Sequence, residues 1–218
     1  MEKTTLDSVQ RVFDDWATNG RADSMERGHA INARRAFERL DLQPGQHYLD
    51  IGCGNGYSVR WAAEKDPSIK AVGIDVSEEM IRYSRELSES IANTRFIHAS
   101  FPVPELRANC FDAIFSMEVL YYLENLEWGI QNVLRLLKPK GLFVSTIDFY
   151  KENPASHSWP DDVGLTMNLL SMAEWKETFE QCGFEVLDQK QLKHPIIPGK
   201  DVTWEHEVGS LLTLVQKL

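Results

Sequence analysis

The sequence predicts an α/β domain whose sheet is mostly parallel and carries helices on both faces. Apolar runs of strand length alternate with helical patterns from Gln46 onward, and this alternation implies right-handed crossovers between parallel strands. The last two apolar runs, 184–187 and 211–215, have no long helical pattern between them, so we expect them to pair antiparallel at one edge. The earlier strands are predicted near 47–51, 70–75, 94–98, 111–117 and 141–147.

The composition narrows the classes of function. The chain has 218 residues and a net charge of −10, which disfavours binding to nucleic acid or to an anionic membrane surface. No apolar signal segment opens the sequence and no run is long enough to span a bilayer, so no membrane association is expected. The isolated cysteines have neither pairing nor metal-ligand spacing, which predicts a reduced, cytoplasmic protein without a metal site. They are Cys53, Cys110 and Cys182.

Residues 1–40 lie upstream of the predicted sheet and are expected to form two helices. Apolar residues recur at helical spacing in the first, and Asn19-Gly20 is suited to end it. The second is predicted from about Ser24, as its N-cap, to Leu40. Packing against the sheet would explain both helices, but the residues where they meet are more polar than packing requires. These residues are Arg21, Met25, Arg27 and His29.

A glycine-rich turn follows the first strand, in the run Tyr48-Leu-Asp-Ile-Gly-Cys-Gly-Asn-Gly56. Glycines allow a tight turn and let a ligand approach the backbone N–H groups. A dinucleotide fingerprint would require its third glycine at position 57, which is Tyr57. Asp50 would repel a pyrophosphate but suits a ligand with an amine and a sulfonium. The turn therefore predicts S-adenosylmethionine, held by Asp50 and by residues of the turn, namely Gly52, Cys53, Gly54 and Gly56.

Asp75 ends the second apolar run, 19 residues after Gly56. At this spacing an acidic side chain reaches the ribose hydroxyls of a bound nucleoside. The alternative is that Asp75 caps the following helix, a role for which Ser77 is better placed.

With these motifs the chain resembles the class I S-adenosylmethionine-dependent methyltransferases, roughly from Leu42 to its end. The resemblance also rests on the run 95–101, on 111–120 after the fourth strand, and on 133–141 before the fifth. It implies a Rossmann-like seven-stranded sheet with an antiparallel C-terminal hairpin. Ser100 stands where the family commonly has Asp, and can still accept a hydrogen bond from the adenine amine. The further cofactor contacts expected are Val76, Met80, Ser100, Phe101 and Met117.

The resemblance also divides the chain by role. Residues 1–40 are expected to form a lid over the cofactor, in which Arg21 or Arg27 meets the methionine carboxylate. Residues 41–218 form the binding domain, within which the long connection 148–170 is expected to cover the acceptor. Its aromatic content favours a functional loop. The acceptor residues predicted are Tyr121, Tyr122, Phe149, Tyr150, Trp159 and Met167.

The chemistry expected is in-line methyl transfer to a small organic acceptor, through an O, N or C atom that the sequence leaves open. Orientation and exclusion of water are its main requirements. A protic acceptor would also need a base, and the candidates are His157, His29 and Glu118. Two alternatives stay open, namely a non-catalytic partner subunit and, with less support from the glycine spacing, a nicotinamide-dependent oxidoreductase.

Overall fold

The computed structural model describes residues 6–196, 198–199 and 201–218, and its centre is one seven-stranded sheet of order β3-β2-β1-β4-β5-β7-β6. The strands are β1 His47–Ile51, β2 Lys70–Asp75, β3 Thr94–His98, β4 Phe111–Met117, β5 Leu137–Ile147, β6 Phe184–Leu192 and β7 Ser210–Lys217. The first five are parallel, and β7 runs antiparallel to both β5 and β6. The predicted sheet and its reversed C-terminal strand are confirmed.

Helices cover both faces of the sheet. They are α1 Leu6–Thr18, α2 Arg21–Phe37, α3 Tyr57–Lys65, α4 Glu78–Leu87, α5 Leu126–Leu136, α6 Trp159–Val163, α7 Met172–Gln181 and α8 Trp204–Glu207. Side chains of β1 alternate between two apolar cores, with Leu49 and Ile51 in one and Tyr48 in the other. Burial on both faces is why these strands show continuous apolar runs. No helix in the described part of the chain is long and apolar enough to cross a bilayer.

The second helix begins earlier than the sequence predicted. It starts at Arg21, directly after Gly20 in the left-handed conformation (φ 79°), and ends at Phe37. Ser24 is therefore not its N-cap, and its hydroxyl donates instead to the carbonyl of Arg21 at 3.0 Å. The predicted start was wrong because Asn19 closes the turn, with its side-chain oxygen accepting from the N–H of Arg21 at 3.1 Å.

The connection 148–170 packs against the apolar core. Phe149 and Tyr150 are almost completely buried, and Trp159 and Met167 pack against the same core. The N–H of Asn168 donates to the carbonyl of Tyr121 at 2.8 Å, which fixes the segment behind the turn that follows β4. These four residues therefore have packing roles, and their predicted contact with an acceptor stays a prediction.

Candidate active site

A cavity of about 400 Å³ opens at the carboxyl ends of β1, β2 and β4, where parallel sheets of this kind bind ligands. Most of the predicted cofactor residues line it. They are Gly52, Cys53, Gly54, Asp75, Val76, Met80, Ser100, Phe101 and Met117. The structure thus brings together residues from four separate predicted motifs.

The glycine turn wraps one end of the cavity. The N–H groups of Gly52 and Cys53 both donate to the carbonyl of Ile74, at 2.8 and 3.0 Å, which ties the turn to β2. Gly52 has φ 72°, and a Cβ there would stand 2.1 Å from Cγ2 of Val119. Only glycine satisfies both the backbone conformation and the packing at this position.

Asp50 lies beneath the turn and does not line the cavity. It is 3% exposed and accepts a hydrogen bond from the hydroxyl of Ser58, which in turn accepts one from Tyr48 at 3.0 Å. Burial raises the pKa of Asp50 to about 7, against the lowering effect of Ser58, and the charge of Asp75 raises it further. Gly56 does not line the cavity either and caps α3 in the left-handed conformation. The predicted cofactor contacts of Asp50 and Gly56 stay predictions.

Asp75 lines the cavity and also holds two backbone N–H groups in place. Its two carboxylate oxygens accept from the N–H of Gly54 at 2.8 Å and of Ser77 at 2.9 Å. Burial raises its pKa, although both hydrogen bonds act in the opposite direction. Ser77 caps α4 by accepting from the N–H of Met80, so the alternative role of helix cap belongs to Ser77. The ribose contact of Asp75 stays a prediction.

Glu118 and His29 both line the cavity and lie close to each other. Glu118 follows β4 in the left-handed conformation (φ 59°), a strained geometry for a residue with a side chain. Its oxygens accept from the N–H of Asp148 at 2.5 Å and from the hydroxyl of Tyr121 at 2.8 Å. Nε2 of His29 lies 3.9 Å from Oδ2 of Asp148. Two of the three predicted bases are thus adjacent, together with a carboxylate that the sequence did not single out.

Burial shifts the pKa of each of the three groups in the direction that favours its neutral form. It raises the pKa of Glu118 well above its ordinary value, and the neighbouring charge of Asp148 acts in the same direction. Burial also raises the pKa of Asp148 to about 6 and lowers the pKa of His29 to about 4. One ligand atom from each lies within 4.8 Å of the others, so the three side chains form one cluster. Both oxygens of Glu118 already accept hydrogen bonds, which lower its pKa against the effects of burial and of Asp148.

The first two helices form one wall of the cavity and are attached to the sheet by specific contacts. Oδ1 of Asp14 accepts from the hydroxyl of Ser77 at 2.6 Å and from the N–H of Glu79 at 3.3 Å. Oε2 of Glu26 accepts from the amide of Asn55, in the glycine turn, at 2.6 Å. This position agrees with the predicted lid, whose closure over the cofactor stays a prediction.

Several predicted residues lie elsewhere. His157 is exposed in the 148–170 connection and does not reach the cavity, and Arg27 is exposed on α2. Arg21 lies over the ring of Trp16 at 3.9 Å, so its guanidinium is engaged on the lid surface. Of the acceptor residues only Tyr122 lines the cavity, since Tyr121 is buried with its hydroxyl on Glu118. For these positions residue type gave no information about which way the side chain faces.

The cavity wall also contains apolar and polar residues that the sequence did not predict. They include Val9, Phe13, Ala22, Met25, Glu26, Asn55, Val119, Leu123 and Trp128. The cap residue Asn125 could have placed Trp128 in the first turn of α5, near the carboxyl ends of the strands. Glu26 and Asn55 are 29 residues apart, and no local pattern pairs them.

A family model described as a methyltransferase domain matches residues 42–209 of this chain. The chain belongs to this methyltransferase family. The protein is an enzyme that uses S-adenosylmethionine as its methyl donor. The class I resemblance inferred from the glycine turn and Asp75 is confirmed.

The methyltransferase is similar to proteins with different acceptors. It is 25% identical over 210 residues to O-methyltransferase resE of Aspergillus sclerotiorum, covering 90% of this chain and 79% of that one. It is 28% identical over 181 residues to 24-methylenesterol C-methyltransferase 3 of Arabidopsis thaliana, covering 76% of this chain and 49%, about half, of that one.

Among solved structures, the methyltransferase is similar to a chain of the complex between the Haloferax volcanii Trm112 methyltransferase activator and the putative methyltransferase. The TM-score is 0.85 at 28% identity, and the match covers 94% of this chain and 96% of that chain. The likeness therefore extends over both the sheet and the N-terminal helices.

Proposed function

We propose that this enzyme methylates a small organic acceptor with an apolar body and a polar reacting group. The cavity carries this proposal, because its wall combines many apolar side chains with a few polar groups. Val9, Phe13, Leu123 and Trp128 are apolar members of this wall, and Glu118 is a polar one. We assign these residues to the acceptor and call them the acceptor end of the cavity. Small-molecule sites commonly combine a large apolar wall with a few polar groups that fix orientation.

We place the cofactor at the glycine turn. The space over Gly54 is free of other side chains and backbone within 4 Å of where a Cβ would stand, so a ligand can approach the turn. Oδ1 of the buried Asn55 has no hydrogen-bond partner among the described residues, and it offers an acceptor to a ligand ammonium group. We assign the ribose to Asp75 and the adenine to the wall of Val76, Met80 and Phe101. When bound, the cofactor supplies an electrophilic methyl group.

At the acceptor end, the protein contributes positioning of the acceptor and exclusion of water. The reaction needs the acceptor atom held in line and water excluded. The side chain of Phe13 meets the ring of Tyr122 edge-on, with centroids 5.6 Å apart, which joins the lid to the turn after β4. We infer that this contact helps to close the acceptor end.

The direct test is release of S-adenosylhomocysteine with a panel of phenols, alcohols, carboxylic acids and amines of graded apolar size. We expect turnover to favour members with an apolar body. Trp128→Ala should raise the acceptor KM severalfold without changing cofactor affinity, since a lost aromatic contact is worth about 1 kcal/mol or more. Leu187→Ala removes an equally exposed apolar side chain on β6 and is the control. Equal KM values for Trp128→Ala and the unmodified enzyme would contradict this acceptor site.

We also propose that the enzyme associates with an activator protein. The similarity to the Haloferax volcanii chain supports this, because it covers nearly all of both chains and that structure contains an activator. Mixing the purified enzyme with that activator should give a complex of higher mass by light scattering. Separate elution at all salt concentrations, together with full activity of the enzyme alone, would contradict it.

A further inference from the structure

Glu118, which lines the acceptor end of the cavity, lies beside the buried carboxyl group of Asp148. They are linked by the hydrogen bond from the N–H of Asp148 to Oε1 of Glu118. Oδ1 of Asp148 is buried without a hydrogen-bond partner among the described residues. Within the same part of the chain, neither carboxyl group forms a salt bridge with a lysine or an arginine, and the basic groups nearby are His29 and His194. The pair therefore lacks a permanent countercharge.

Two adjacent buried carboxyl groups do not both ionise in a medium of low dielectric constant unless a cation joins them. Glu118 is faced by Tyr121 from the turn after β4, by His29 from α2 and by Asp148 at the end of β5. Asp148 is faced further by three groups from the C-terminal elements, which are Ser210, Glu205 and His194. Without a ligand cation, the pair accordingly holds a proton near neutral pH.

Glu118 also lies close to the place of the methyl donor. Val119, its neighbour, touches the glycine turn so closely that a side chain at Gly52 would overlap it. Both Gly52 and Glu118 line the same cavity. The methionine end of the cofactor, which carries the sulfonium, belongs at the glycine turn, so a positive charge would arrive beside the carboxyl pair.

We propose, resting on the function proposed above, that Glu118, Asp148 and His29 form one proton-holding group. It releases a proton when the sulfonium binds and takes the acceptor's proton when the methyl group is transferred. The acceptor must then carry an ionisable O–H or N–H at the reacting atom.

Atoms and charge balance in this step. The O–H or N–H bond of the acceptor breaks and its proton passes to the group, while a new O–C or N–C bond forms. The C–S bond breaks and its electron pair stays on sulfur. The positive charge on sulfur and the negative charge on the group disappear together, so no uncompensated charge is left in the closed cavity.

Calorimetry without any acceptor tests the proposal. Binding of S-adenosylmethionine and of S-adenosylhomocysteine is measured at several pH values between 6 and 8.5, each in two buffers with different ionisation enthalpies. S-adenosylmethionine carries the sulfonium charge and S-adenosylhomocysteine does not. The difference in protons released therefore reports the effect of the sulfonium charge on the proton-holding group. We expect S-adenosylmethionine to release more, by roughly half to one proton at the pH of the maximum.

Variants identify the group responsible. Glu118→Gln keeps the shape and can still hydrogen-bond to Tyr121 and to the N–H of Asp148, and it should abolish the difference. Asp148→Asn should move the difference to lower pH, because it removes the neighbouring negative charge. Glu127→Gln, the same substitution at an exposed position of α5, should retain it.

Three outcomes would overturn the proposal. They are equal proton release for the two ligands at every pH, a difference that persists in Glu118→Gln, and a stoichiometric metal ion in the purified enzyme that Glu118→Gln removes. Failure of the acceptor panel would leave this readout intact, so the proposed function and the proton-holding group fail separately.

Discussion

Asp50→Asn should make the ligand-free enzyme more stable at alkaline pH. The carboxyl group of Asp50 ordinarily titrates at 3.8 and does so at about 7 in the folded protein, chiefly because it is buried. A difference of about three pKa units corresponds to about 4 kcal/mol at 1.36 kcal/mol per unit. Because the folded-state pKa is raised, this group lowers the free energy of unfolding as pH rises from about 4 to about 7.

The substitution should remove that loss. An asparagine stays neutral and its carbonyl can still accept from Ser58. Near pH 4 the two proteins should therefore unfold at similar urea concentrations. At pH 8 the variant should be more stable by up to about 4 kcal/mol, or roughly ten degrees in Tm for a chain of this length.

Urea and thermal unfolding of the ligand-free proteins at pH values between 4.5 and 8 measure the effect. Asp66→Asn is the matched control, because the exposed Asp66 has a lowered pKa through its hydrogen bonds with Ser68 and should show no gain at high pH. If Asp50→Asn is no more stable than the unmodified enzyme at pH 8, then Ser58 and Tyr48 stabilise the carboxylate by more than its burial costs, and the reasoning fails.

The remaining predictions concern the turn, the lid and the excluded base. Gly52→Ala should lose more than about 1 kcal/mol of stability from its left-handed backbone and clash, and Val119→Ala should recover the clash part in a double mutant, as measured by urea unfolding. Asp14→Ala should weaken S-adenosylmethionine binding by about tenfold in calorimetry, because it loses the contacts to the start of α4, whereas its exposed neighbour Asp15→Ala should not. His157→Gln should leave the rate and its pH profile unchanged, and a loss of 10²-fold would restore this residue as a base.

The fold was predictable wherever the signal was local. Strands β1 to β4 begin and end close to the predicted residues, because strands buried on both faces give continuous apolar runs. The start of α4 was equally readable from the Ser77 cap. The start of α2 was not, since a left-handed glycine replaced the side-chain cap that the sequence analysis expected at Ser24.

The site was predictable only along single stretches of chain. The glycine turn and Asp75 each belong to one local motif, and the cavity contains both. The contacts that complete the site join distant residues, as Asp14 joins Ser77 across 63 positions. For Phe149 and Tyr150, aromatic character was compatible with either a pocket wall or the core, and both side chains are buried in the core.

Four acidic residues stand in a row along the carboxyl edge of the sheet, two of them in the cavity wall and two buried. Asp75, Asp50, Glu118 and Asp148 lie at the ends of β2, β1, β4 and β5, which are adjacent in that order. Burial raises the pKa of each. Every ionised member therefore destabilises the ligand-free protein, and a bound positive charge offsets that cost. Binding of S-adenosylmethionine should thus stabilise the enzyme increasingly as pH rises, more than binding of S-adenosylhomocysteine does, because the sulfonium is the charge that the two ligands do not share.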